Sequence, residues 1–229
     1  MKYMGSKNRI AKHLLPIMLA ERKPNQTWVE PFVGGANMVD KVDGERIGAD
    51  VNEYVIALLQ EMSKESYYSP VIDEIKYNHI KDNIDKHHKW IVGYAGTQLS
   101  FGSKWFGGYR RDKTGARNYS NEAIRNVNKQ AKRVKGVDFV HSGYQDLEIP
   151  PTSLIYCDPP YDGTTKYRDT FNHEEFWQWC RDKAKEGHTV FISEYSAPDD
   201  FECVWEMEVK TLLDKKPRDT KRIEKLFKV

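Results

Sequence analysis

The run Thr189-Val190-Phe191-Ile192-Ser193 shows no alternation of apolar and polar residues. A strand with one wet face alternates; this one must be covered on both faces, as in a parallel sheet flanked by helices. Other short runs fit the same sheet. Thr27-Trp28-Val29-Glu30-Pro31-Phe32 reads as a buried strand that runs into a Gly34-Gly35 turn, and Arg46-Ile47-Gly48-Ala49-Asp50 as a strand ending in an acid. Val137 to Val140 and Ser153 to Tyr156 are further candidates, the second ending at Cys157-Asp158. Helical spacing covers Val55 to Met62, irregularly 67–92, then a basic stretch 121–134 and Glu174 to Glu186, with Asn172 as a possible N-cap. Cys203 to Val209 and Arg222 to Val229 could close the sheet as an antiparallel pair. The expectation is therefore an α/β, doubly wound, mostly parallel sheet with one insert. Ligands of such sheets bind at the carboxyl ends of the strands.

The 229 residues suffice for one such domain, residues 1–65 and 136–229, with an insert over 66–135. Residues 95–120 hold Gly96, Gly102, Gly107, Gly108 and Gly115 among aromatics and arginines, just after Gly93, and read as loop rather than core. Charge marks the same region. Residues 102–135 carry ten basic side chains against Asp112 and Glu122, a net +8 in a chain of +2, which leaves −6 elsewhere. A polyanion-binding face needs such a block, although a solvated basic helix would look the same. Three widely spaced cysteines, Cys157, Cys180 and Cys203, argue against a disulfide framework or a zinc cluster. His87-His88 reads as surface, and no apolar run approaches a membrane span. A polar, basic N-terminus without an apolar signal core points to a cytoplasmic protein.

Asp158-Pro159-Pro160-Tyr161 carries the chemistry. An amino group conjugated to an aromatic ring is a weak nucleophile, because its lone pair is delocalised. A carboxylate and a backbone carbonyl that both accept its N–H bonds draw that lone pair out of the ring. Two prolines fix φ, and Pro159 keeps its carbonyl as acceptor, so the acceptors cannot relax away. Tyr161 offers a flat face for stacking. A Pro-Pro turn stiffened for stability would show the same four residues. Upstream, Glu30-Pro31-Phe32-Val33-Gly34-Gly35 lacks the dinucleotide fingerprint but still allows a backbone to pass close to a ligand. Asp50 could accept from two ribose hydroxyls or cap the next helix. Tyr3 and Lys7 flank a Gly5-Ser6 turn where a lysine could meet a carboxylate, or where a basic terminus simply frays.

Taken in order, Tyr3-Met4-Gly5-Ser6-Lys7, Glu30 to Gly35, Ala49-Asp50-Val51-Asn52 and Asp158 to Tyr161 resemble the motifs of the Dam-like, D12-class adenine-N6 DNA methyltransferases, in the alpha arrangement. Ser100 to Tyr109 looks like the insert of phage-encoded members. The resemblance implies a Rossmann-like S-adenosylmethionine-dependent methyltransferase fold that transfers a methyl group to N6 of adenine in duplex DNA. It implies cofactor contacts from Tyr3, Lys7, Glu30, Pro31, Phe32, Gly34, Gly35, Asp50, Asn52 and Asp158, with Lys7 near the methionine carboxylate and Asp50 on the ribose. Asp158, Pro159, Pro160 and Tyr161 would form the catalytic site. Many members have an Asp-Phe pair where this chain has Gly143-Tyr144, so Tyr144 is left as the aromatic candidate and Gln145 or Asp146 as polar ones.

The insert suits double-stranded DNA. Lys104, Arg110, Arg111, Lys113 and Arg117 could hold phosphates or read guanines, and the target adenine must leave the stack. Trp105, Phe106 and Tyr109 are candidates to fill the gap or, alternatively, form a small satellite core. Ser193-Glu194 could border the adenine pocket or form a turn. No metal is expected, since the leaving group is a neutral thioether, and the chain is expected to be a monomer or weak dimer. Rival readings are an RNA adenine-N6 methyltransferase, a catalytically silent DNA-binding protein of the same fold, and a metal-dependent nuclease.

Overall fold

The computed structural model describes residues 1–112, 114–161, 171–210 and 221–229. The elements follow as α1 Ala11–Ala20, β1 Trp28–Glu30, β2 Arg46–Asp50, α2 Glu53–Met62, α3 Glu74–Asp82, α4 Lys89–Gln98, α5 Tyr119–Ala131, β3 Val137–His141, β4 Leu154–Cys157, α6 His173–Lys185, β5 Thr189–Glu194, β6 Glu202–Lys210 and β7 Lys221–Lys228. The strands form one sheet in the order β3-β2-β1-β4-β5-β7-β6. Five strands are parallel, and β7 runs antiparallel to both β5 and β6. The doubly wound sheet and its closing antiparallel pair are as the apolar runs indicated. The order of strands reverses between β1 and β4, which opens a crevice at their carboxyl ends.

Alternation along the strands builds two cores. Trp28, Leu154, Tyr156, Phe191 and Leu226 face α1, α2, α4 and α5. Val29, Ile155, Cys157, Val190, Ile192 and Phe227 face Phe176 and Cys180 of α6. Side-chain caps start the helices: Asn52 accepts from Tyr54 and Val55 N–H, and Asn172 accepts from Glu175 N–H at 3.1 Å. The thiol of Cys157, fully buried, is pushed well up by burial, as suits a packing residue and not a nucleophile. Among the described residues, no helix is long and apolar enough to cross a membrane.

Two features depart from the sequence reading. Pro16 stands inside α1 and masks its helical signal, yet Leu14, Leu15 and Met18 bury one face of that helix. Residues 95–98 are not loop but the buried end of α4, and the glycines there serve close packing. A Cβ on Gly93 would lie 2.1 Å from the Tyr54 carbonyl oxygen of α2, and one on Gly96 would lie 2.7 Å from the Trp105 ring. Residues 66–135 share their core with α2: Tyr77, Ile80, Val92, Ala95 and Val127 join Leu58 and Leu59.

Candidate active site

The site gathers where β1, β4, β5 and β7 present their ends. Lys7, in a short 3₁₀ turn after the Gly5 bend, is buried, and its Nζ lies 3.0 Å from Asp158 Oδ1 and 3.6 Å from Glu224 Oε2. The same ammonium stands 4.3 Å from the centre of the Tyr161 ring, a cation–π contact. The Tyr161 hydroxyl donates to Glu224 Oε2 at 2.7 Å, and its ring meets Tyr195 edge-on at 4.5 Å. Behind them Tyr156 and Ser193 share a hydroxyl hydrogen bond of 2.8 Å, and Trp28 Nε1 donates to Glu30 Oε1 at 2.8 Å.

Burial sets the electrostatics. It pushes the Asp158 carboxyl above the usual carboxylate range, and Lys7 offsets this only in part. Burial acts to lower the Lys7 pKa, but Asp158 and Glu224 outweigh it, so the ammonium is held charged. The Tyr161 phenol is pushed well up, first by burial and then by Asp158 and Glu224. Glu30 is pushed up to about 8, chiefly by burial, and is neutral at pH 7. One buried cation thus faces two carboxylates across a tyrosine ring, with a protonated acid beneath.

The turn after β1 lies beside this cluster. Gly34 N–H donates to Asp50 Oδ2 at 3.0 Å, and Asn52 N–H donates to Asp50 Oδ1 at 2.9 Å. These bonds fix the carboxyl at the end of β2 while leaving each oxygen a further lone pair. Tyr3 lies on the glycine turn: a Cβ on Gly35 would come within 2.5 Å of the Tyr3 side chain. The glycines therefore make room for Tyr3 first. Asn52, through its side chain, caps α2, while Phe32 packs in an aromatic cluster with Tyr144, Phe171 and Phe176. Pro31, also buried, links β1 to the turn. Tyr144 is only 6 % exposed, and its ring meets Phe32, Phe171, Phe176 and Trp179, so no face remains for a ligand.

Residues of α4 and α5 hold the N-terminal segment and the glycine turn of this site. Lys2 N–H donates to Gln98 Oε1 at 3.2 Å, and Gln98 Nε2 donates to Lys2 O at 3.0 Å. Gln130 Nε2 donates to the carbonyls of Gly35 and Ala36 at 3.0 and 2.9 Å.

Of the expected DNA contacts, Lys104 and Arg117 are exposed, and Arg111 is exposed beside Glu74 at 3.2 Å. Arg110 stacks 4.0 Å from the Tyr119 ring and pairs with Glu122 at 3.7 Å. Lys113 lies outside the described residues. Phe106 and Tyr109 pack into the core against Tyr77, while Trp105, 40 % exposed, lies over them against Tyr54 and Phe106. Phe101 on the same loop is instead 70 % exposed.

Sequence reasoning did not single out Glu224 or Tyr195. A signal for Glu224 exists: in β7 the apolar Ile223 is 47 % exposed, while the neighbouring acid shares its face with buried Leu226. An acid on the core-facing side of a strand needs a partner.

The chain is 25 % identical over 215 residues to the Type II methyltransferase M.FokI of Planomicrobium okeanokoites, covering 79 % of the chain but only 31 % of that protein. Among solved structures, SMU.472, described as a candidate methyltransferase complexed with SAH, aligns over 97 % of the chain and 52 % of its own, with 11 % identity and a TM-score of 0.37. The chain thus spans about a third of the curated relative and half of the structural one. Residues 3–91, which hold Tyr3, Lys7, the Gly34-Gly35 turn and Asp50, match the family model of the D12 class N6 adenine-specific DNA methyltransferases.

Proposed function

We propose that the protein is a site-specific DNA adenine methyltransferase that uses S-adenosylmethionine and acts on N6 of a flipped-out base in duplex DNA. The observation that carries this reading is the cluster of buried Lys7 with half-buried Asp158 and Tyr161 at the carboxyl end of β4, with β1 between it and the fixed Asp50 carboxyl at the end of β2. The donor set fits the cofactor: Asp50 offers two acceptors suited to ribose hydroxyls, and Lys7 is a buried cation suited to a carboxylate. When bound, S-adenosylmethionine supplies an electrophilic methyl on a sulfonium that departs as a neutral thioether.

The chain's own residues do the rest. Asp158 and the Pro159 carbonyl accept the two N–H bonds of the amino group, and the bond to Asp158 strengthens as positive charge builds on nitrogen. Tyr161 braces the base by its ring. Burial raises the Asp158 pKa above the usual carboxylate range, so kcat should fall as pH falls through that raised value. Lys104, Arg110, Arg111, Lys113 and Arg117, with 66–135 as the recognition region, hold the duplex, and Tyr109 supports that loop from beneath. With Phe106 and Tyr109 packed in the core and Trp105 held against Tyr54 and Phe106, Phe101, the most exposed aromatic of the loop, is the one at hand to fill the space a flipped base leaves.

The test is methylation of plasmid DNA by the purified protein, with sequencing that maps N6-methyladenine and RNA of matched sequence in parallel. Asp158→Ala should lose at least about 100-fold in kcat, the order seen when one transition-state hydrogen-bonding group is removed, with DNA binding intact. Methylation of RNA alone, or of no adenine by protein that binds the cofactor, would sink the reading.

A further inference from the structure

We propose that Glu224 is a positioning residue of the active site, which sets the Tyr161 ring and the Lys7 ammonium relative to the Asp158 carboxylate. The inference rests on reading the site as an amino-methylating centre. Its ground is geometric. Strand β7 enters the sheet antiparallel to β5, so its first half lies at the carboxyl end of the parallel strands, where the chemistry is. Leu226 pairs with Ser193 and Lys225 with Glu194, which carries Glu224 one residue past the end of β5 and into the site. There its side chain is 12 % exposed and reaches both Tyr161 Oη, at 2.7 Å, and Lys7 Nζ, at 3.6 Å.

Tyr161 follows two prolines that fix its backbone, but its χ torsions are not fixed by them. The hydroxyl bond to Glu224 and the edge contact with Tyr195 fix the ring plane. Lys7 is a flexible side chain shared between Asp158 and Glu224. Without the second carboxylate, Lys7 would belong to Asp158 alone and would compete with the substrate amino group for its oxygens. Charged and titratable groups facing the pair come from every surrounding element: Glu30 of β1, Tyr156 of β4, Asp158 and Tyr161 after it, Tyr195 after β5, and Lys7.

The experiment compares the wild type with Glu224→Gln and Glu224→Asp. In protein with ¹³C-labelled aspartate, the carboxyl resonance of Asp158, assigned with Asp158→Asn, is followed against pH. Glu224→Gln keeps an oxygen for Tyr161 but removes the charge, so the Asp158 midpoint should fall by about one pH unit, the order produced by one nearby charge. The acid limb of kcat should move with it. Glu224→Asp keeps the charge and withdraws its reach, so the midpoint should stay while the ¹³Cζ resonance of Tyr161 shifts and kcat drops about tenfold with KM for DNA unchanged, a loss confined to the transition state. If Glu224→Gln does not fold, the Glu224→Asp measurements decide alone. An unmoved midpoint in folded Glu224→Gln, or wild-type Tyr161 resonance and kcat in Glu224→Asp, overturns the proposal. A wild type that methylates nothing sinks the functional reading instead, and the resonances still report on Glu224.

Discussion

At Glu30 burial has a consequence for stability. The acid sits 3 % exposed with one hydrogen bond from Trp28, and its pKa is pushed up from 4.5 to about 8. Between these values the folded state holds a proton that the unfolded state releases. Stability is therefore full below the unfolded value and is lost as pH rises through the folded one. The melting temperature should decline from pH 5 to pH 8, and Glu30→Gln, which keeps the shape without the proton, should flatten that decline. A wild-type curve that rises over this window would contradict the sign. A second residue-scale expectation concerns Phe101. Its replacement by Ala should weaken the 2-aminopurine fluorescence gain at the target position while leaving cofactor binding within twofold. The four residues from Asp158 to Tyr161 and the carboxylate of Asp50 were legible from the sequence because their chemistry is local. Glu224 was not, because its partners lie more than 60 positions away and only the outward turn of Ile223 hinted at it.

At the scale of elements, β1, β4 and β5 were legible as apolar runs, since a strand buried on both faces carries its own signature, while β6 and β7 showed the alternation of strands with one wet face. Helices were harder. Proline at position 16 hid α1, and Gly93 and Gly96 disguised the end of α4 as a loop. The glycines are explained by distance: the α2 backbone comes so close to Gly93 that no side chain fits. Gly93→Ala should therefore destabilise the protein by about 1–3 kcal/mol through overpacking, despite the better helix propensity of alanine. Thermal or urea unfolding would measure it, and a stabilised variant would show that the two helices separate more easily than their packing indicates. Asn172→Ala, by contrast, should cost only about 1 kcal/mol through the lost cap of α6.

For the whole molecule, the uneven charge was readable, but its use was not, because several of the basic residues turn back to local acids. Glu122 takes Arg110 and Lys2, Asp40 takes Arg133, and Glu65 takes Lys135. DNA binding should depend most on the arginines and lysines that face water. Ala at Lys104 or at Arg111 should lower the slope of log affinity against log salt by about 1 and act alike on all sequences, as phosphate contacts do. A change confined to one sequence would instead make that residue a base reader. The reciprocal pair of hydrogen bonds between Gln98 and Lys2, and the grip of Gln130 on the carbonyls after β1, bear on engineering. If residues 66–135 are the recognition region proposed above, transplanting them from a relative to alter specificity would also remove the two side chains that anchor the segment before Lys7 and the glycine turn. Such chimaeras should bind DNA yet turn over slowly until glutamine is restored at both places, as expected if the segment is a wall of the proposed site and not an exchangeable cassette.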